Sequence, residues 1–290
     1  MLRQILLATD LSARCDRAFD RAVPLAREAG ARLTIATALE RSPDDLVEPE
    51  AQPRWRRNDG LTDARRQIRE DLEGKGVDAR IVVRRARAGE LIARMARENS
   101  FDLIVTGIAR STGLARMVLG ATVEAVLRER AAPVLVVKRR VRYGYRTVLV
   151  GTDFSDASRA ALQSASALFP QARLTVLHAY HAAAGLGDTE ENDHAAHRRA
   201  LDDCARFVAA TLPPASRAIR CVADAGIPKT LLNRYALDKK IDLLAVGTHG
   251  RHPMLDLLFG STCAALIHSS RCDTLLVRKL TDEAPAKGVA

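Results

Sequence analysis

The chain has 290 residues, 47% hydrophobic but only 4% aromatic, with 45 Lys and Arg against 35 Asp and Glu. That length suits one large domain or two of ordinary size, and the apolar content is ample for a core. No run of about 18 apolar residues exists to span a membrane, and the formal net charge of +10 admits nucleic acid, anionic lipid or a polyphosphate as charge-matched partners.

The excess charge sits mainly in the first half. Residues 1–143 carry 28 of the Lys and Arg but 20 of the Asp and Glu, with clusters at Arg54–Arg57, Arg84–Arg87 and Lys138–Arg140. No aromatic-interleaved strand or recognition-helix pattern accompanies them, so the clusters read as solvated surface and nucleic acid is not the expected partner. The N-terminus meets a charged residue too soon for a signal peptide, and no membrane insertion is expected. Five scattered cysteines, an odd number, point to reduced thiols and a cytoplasmic protein.

In chain order, Ile5-Leu-Leu-Ala-Thr-Asp10-Leu-Ser opens the first half as an apolar strand ending in Asp-x-Ser, and Val148-Leu-Val-Gly-Thr-Asp153-Phe-Ser repeats it. Ala31-Arg-Leu-Thr34 returns as Ala172-Arg-Leu-Thr175, and Asp102-Leu-Ile-Val-Thr-Gly107 as Asp242-Leu-Leu-Ala-Val-Gly247. Offsets stay between 140 and 143 residues, which identifies a tandem duplication. The expected units are residues 1–142 and 143–281.

Strands are expected near 147–152, 173–179, 217–223, 241–246 and 273–278, and helices near 156–168, 194–211, 228–238 and 262–269. Pro228 suits the first turn of its helix. The strands are apolar without clean alternation, as when helices cover both faces. Alternating β and α at this spacing predicts two tandem, doubly wound, five-stranded parallel-sheet α/β units, with ligands beyond the carboxyl ends of the strands. Asp153, Ala179 and Gly247 fall at such ends. The last strands, Pro133–Val137 and Thr274–Val277, can pair with each other inside one chain and so cover two edges, giving a pseudo-dimer; a homodimer of chains is the alternative.

The densest motif is Gly247-Thr-His-Gly250, nine residues, then Gly260-Ser261-Thr262. A strand ending in glycines followed by Gly-Ser at a helix N-terminus suits phosphate, because free N–H groups and the helix dipole favour an anion. The glycines let the main chain approach a ligand, and the Ser261 and Thr262 hydroxyls can cap the helix or donate to phosphate. The bland alternative is a glycine turn and a cap, nothing more.

These features together resemble the universal stress protein family over residues 2–279. The carriers are Thr152-Asp153-Phe-Ser155, Asp242-Leu-Leu-Ala-Val-Gly-Thr-His-Gly-Arg251, and the spacing Gly-x2-Gly-x9-Gly-Ser, complete in the second half. The resemblance implies ATP or ADP as ligand, with Asp153 near the nucleotide and its Mg²⁺. It places main chain around Ala179 at the adenine, Val246 and Gly247 at the ribose, and Gly250, Gly260, Ser261 and Thr262 around the phosphates. Thr152 belongs to the same turn, and His249 and Arg251 add charge at the rim or stay solvated. In the first half Arg110 replaces the second glycine and Ala121 the serine, so one competent site per chain is expected.

No Gly-x4-Gly-Lys-Ser/Thr occurs and no catalytic base is evident, so no catalytic residue is assigned. The expectation is a nucleotide-dependent switch in the stress response with slow hydrolysis at most. The alternatives are a genuine low-turnover ATPase and an adaptor whose basic first half docks an anionic partner. Residues 181–192 read as a lid over the nucleotide. His178, His181, His194 and His197 flank that lid, and their arrangement admits a Zn²⁺ site, solvated or core histidines being the alternative.

Overall fold

A computed structural model describes residues 2–13, 15–40, 60–108, 121–129, 131–181, 190–213, 218–249 and 260–278, without the side chains of Ala121, Glu190 and Ser261. The first half runs β1 (Gln4–Ala8), α1 (Asp16–Ala29), β2 (Arg32–Leu39), α2 (Gly60–Leu72), β3 (Ala79–Arg85), α3 (Ala88–Glu98), β4 (Leu103–Thr106), α4 (Ala121–Glu129) and β5 (Val134–Val136). The second repeats it: β6 (Thr147–Thr152), α5 (Asp156–Leu168), β7 (Arg173–Tyr180), α6 (Glu190–Thr211), β8 (Arg220–Ala225), α7 (Pro228–Asp238), β9 (Leu243–Gly247), α8 (Ser261–Ser269) and β10 (Asp273–Val277).

The strands form one ten-stranded sheet in the order β3-β2-β1-β4-β5-β10-β9-β6-β7-β8. Neighbours are parallel except β5 and β10, which pair antiparallel with Leu275 opposite Leu135. The expected pairing inside one chain is therefore present, and it buries two strands that would otherwise be exposed edges. Among the described residues no helix is long and apolar enough to cross a membrane.

Strand periodicity sets the layers. Ile5 and Leu7, Val148 and Val150, and Leu243 and Ala245 point to the face covered by α1, α2, α5 and α6. Leu6, Leu149 and Leu244 point to the opposite face, under α3, α4, α7 and α8. Along the central strands β1, β4, β6, β9 and β10 both faces are largely buried, so both residue sets are mainly apolar. Fully buried Leu and Ile side chains at these positions each contribute about 1.5–3 kcal/mol of transfer free energy.

Carboxylates finish the strand starts. Asp102 Oδ2 accepts from the Arg3 and Gln4 amides at 2.6 and 2.8 Å, and Asp242 Oδ2 accepts from Arg146 and Thr147 at 3.0 Å each. The repeated Asp-Leu-Ile/Leu motif thus ties down the amino ends of β1 and β6, at the opposite end of the sheet from Asp153 and Gly247. Asp273, fully buried at the start of β10, joins the halves. Its Oδ1 accepts from the Lys138 and Arg139 amides (2.7 and 2.9 Å), its Oδ2 from the Tyr145 hydroxyl (2.6 Å), and Arg21 stands 3.7 Å away.

Candidate functional site

The central strand β6 ends in a turn that its own side chains build. Thr152 Oγ1 accepts from the Phe154 amide (2.9 Å) and is hydrogen-bonded to Ser158 Oγ (3.0 Å). Asp153 Oδ1 accepts from the Ser155 amide (3.1 Å), and Ser155 Oγ caps α5 by accepting from the Ser158 amide (3.3 Å). Phe154 takes a left-handed φ of 65°, a conformation that costs a residue with a Cβ roughly 1–2 kcal/mol. Its ring repays that by packing on His178 and Phe207, at centroid distances of 4.2 and 5.5 Å.

The first half has the same turn: Leu11 has a φ of 57°, with its amide on Thr9 Oγ1, and Ser12 N–H binds Asp10 Oδ1, both at 3.0 Å. The Asp-x-Ser turn is thus common to both halves and does not distinguish them. The glycine motif does distinguish them in sequence.

Both neighbours of β6 run on past its carboxyl end. The last β6–β7 pair is Thr152 with His178, yet β7 continues to Tyr180 beside β8. Tyr180 O accepts from Gly226 on the β8 side (2.9 Å). In a parallel ladder successive residues turn their N–H and C=O to opposite neighbours, so those of Ala179 face the space beyond β6. On the other side the last β6–β9 pair is Val150 with Ala245, while β9 runs on through Val246 and Gly247 beside β10. Asp153, Ala179, Val246 and Gly247 therefore lie at the carboxyl ends of three adjacent strands, where strand order reverses, the place at which open α/β sheets usually bind ligands.

Gly247 has a different reason to be glycine than ligand approach. A Cβ there would lie 2.7–2.9 Å from the main chain and Cβ of Ala157, so the missing side chain lets the first turn of α5 sit against β9. Beyond it, buried Thr248 anchors both arms of the motif. Its amide binds Val277 O (2.9 Å), its carbonyl accepts from the Gly260 amide (2.8 Å), and its Oγ1 meets His249 Nδ1 at 3.0 Å.

Gly260 starts α8 in an extended conformation, φ −63° and ψ 148°, with no side-chain cap. Neither that backbone nor packing requires glycine: among the described residues, a Cβ there would find only Thr248 O, at 3.8 Å. The first intrahelical bond is Ala264 N–H to Gly260 O, which leaves the three preceding amides at the helix start without helical acceptors. Thr262 is half-buried in that first turn. Cys263 beside it is buried, which pushes its thiol up to about 12 and removes it as a nucleophile.

Gly250, Arg251 and the Ser261 side chain lie outside the described residues, as do Arg110, Gly120 and most of the expected lid. Of the four histidines, His178 Nδ1 lies 3.0 Å from Thr152 O and its ring stacks on Phe154, while His197 stands beside the Tyr180 hydroxyl at 3.5 Å. His181 and His194 are exposed. Among the described residues no three His, Cys, Asp or Glu side chains converge to hold a metal ion. His178 is spent on finishing the β6 turn, a use that its sequence position did not reveal.

A family model described as the universal stress protein family matches residues 1–138 and again 144–278. A universal stress protein of Thermus aquaticus is 32% identical over 137 residues, spanning 46% of this chain and 99% of its own length. Universal stress protein A homolog 2 of Coxiella burnetii is 42% identical over 57 residues; the match covers 20% of this chain and 38% of that protein's length. Among solved structures, a universal stress protein from Archaeoglobus fulgidus aligns with a TM-score of 0.66 at 17% identity, covering 97% of both chains. A protein of unknown function from Pseudomonas aeruginosa aligns at 0.68 and 18% identity, covering 96% of this chain and 92% of its own. These two likenesses speak to the fold alone.

Proposed function

The chain belongs to the universal stress protein family, and from that premise we propose that its second half binds ATP or ADP and acts as a nucleotide-dependent switch in the stress response. The observation that carries this reading is the start of α8 at Gly260, which has no side-chain cap and no packing need for glycine among the described residues, held by Thr248 beside the strand ends. Amides at such a helix start are ready donors to phosphate oxygens. Ala179 offers a main-chain donor and acceptor for an adenine edge, and Val246 and Gly247 flank the ribose between them.

Asp153 supplies a carboxylate at the same end. Mg²⁺ on a nucleotide is commonly held by one or two carboxylates together with the phosphates, so the donor set fits a metal that arrives with the nucleotide better than a resident one. The ion would screen charge on the phosphates. The turn around Asp153 is rigid because Ser155 and Thr152 occupy its hydrogen bonds, which suits holding and orienting a ligand. A switch with slow turnover fits this set better than a fast ATPase. The first half, with Arg110 and Ala121 in place of glycine and serine, is proposed not to bind.

The test is Gly260→Asp. Aspartate is a favourable N-cap, so the fold is retained, but its carboxylate occupies the place proposed for phosphate. ATP affinity should fall at least about tenfold, equivalent to 1.4 kcal/mol. Unchanged affinity would show that the phosphates lie elsewhere.

A further inference from the structure

Two cysteines on α6 and β8 lie outside the set of residues proposed for nucleotide binding. Cys204 lies on α6 and is fully buried; Cys221 lies on β8, the edge strand of the sheet, and is partly exposed. Cys221 is the register partner of Val176 on β7, and Cys204 Sγ reaches the carbonyl of that same Val176 at 3.9 Å. The two thiols consequently flank one residue, where α6 packs across β7 and β8, and Cys221 packs against the same core cluster that holds Cys204. None of the five cysteines is paired in a disulfide.

We propose that Cys204 and Cys221 are a peroxide-responsive pair that closes into a reversible disulfide, Cys221 reacting first and Cys204 resolving. Their environments divide the roles. Cys221 is the partly exposed member of the pair and so the one open to peroxide, and the contact with Cys204 lowers its thiol, which favours the reactive thiolate. The same contact and burial raise Cys204, which stays a protonated thiol. Cys15, Cys263 and Cys272 are all raised, chiefly by burial, and are poor nucleophiles.

The chemistry balances with hydrogen peroxide as oxidant. Cys221 thiolate attacks one peroxide oxygen; an S–O bond forms, the O–O bond breaks, and hydroxide leaves, giving Cys221 sulfenic acid. Cys204 sulfur then attacks Cys221 sulfur; an S–S bond forms, the S–O bond breaks, and the Cys204 proton leaves with the hydroxyl as water. Two thiols lose two electrons, and peroxide becomes two waters. The product staples α6 to the edge strand.

The experiment treats the reduced full chain with hydrogen peroxide, alkylates it under denaturing conditions, and measures intact mass and cross-linked peptides. The expected result is a species lacking two hydrogen masses, with two fewer alkylated thiols, a peptide pair joining Cys204 to Cys221, and full reversal by dithiothreitol. Cys221→Ser, at a partly exposed position, should lose the cross-link. Cys204→Ser should leave a Cys221 sulfenic acid that dimedone traps. Five alkylated thiols after peroxide would overturn the proposal. So would addition of two oxygens to Cys221 without a cross-link, or a disulfide that joins other cysteines or two chains.

Discussion

Replacing Asp273 with alanine should be among the most damaging single changes in the chain. The carboxylate is fully buried and serves four partners: the amides of Lys138 and Arg139, the Tyr145 hydroxyl, and the Arg21 guanidinium, whose side chain is only 7% exposed. Arg21 is also held 4.1 Å over the Tyr145 ring and cannot swing to water without leaving that contact. Alanine strands a buried charge and three donors. Breaking a buried pair from one side costs about 3–5 kcal/mol, and the donor penalties overlap with that figure because all four partners share one network. For a chain of this length the loss corresponds to roughly 5–8 °C in Tm if unfolding is cooperative. Urea denaturation followed by far-ultraviolet dichroism reads it directly. Asp273→Asn, which keeps an acceptor for the two amides, should cost about half as much, and an Arg21→Met background should shrink the alanine penalty by at least about 1 kcal/mol. A penalty under about 1 kcal/mol for Asp273→Ala would refute the claim that this carboxylate locks the halves together.

Two further changes test the packing and the charge. Gly247→Ala puts a Cβ against the main chain of Ala157 at 2.7 Å, so α5 must shift; the expected loss of about 1–3 kcal/mol is read by the same urea titration, and an unaltered midpoint contradicts it. Burial lowers Lys138 to about 8 from 10.5, so between those values the unfolded chain binds more protons and stability rises with pH, the penalty being complete below about 8. Lys138→Met should therefore gain stability near neutrality and flatten that rise, whereas parallel wild-type and variant curves would contradict the assignment.

The repeat made the architecture legible. Helix 228–238 lies where Pro228 and the apolar spacing place it, β6, β7 and β9 follow the duplicated motifs, and β8, which none of those motifs marked, is shifted to Arg220–Ala225. Helix α6 starts at Glu190, earlier than 194, because its first turn is polar and carries no apolar period for sequence reading to register. The strand-end residues Asp153, Ala179 and Gly247 were readable because parallel topology fixes which end of each strand carries them.

What remained hidden depends on contacts between distant segments. Gly247 reads as a ligand-facing glycine, yet its Cβ position is filled by α5. His178 reads as a metal ligand, yet its ring finishes a turn with Thr152 and Phe154. Cys204 and Cys221 meet only through the packing of α6 on β8, and Asp273 gathers residues from α1, the join and β10. None of these carries a local signal.

The central claim is one nucleotide site per chain, in the second half, and calorimetric titration of the chelator-treated protein with ATP and Mg²⁺ tests it most directly. The account predicts saturation near one nucleotide per chain, lost in Gly260→Asp. No heat of binding, or two nucleotides per chain, would contradict it.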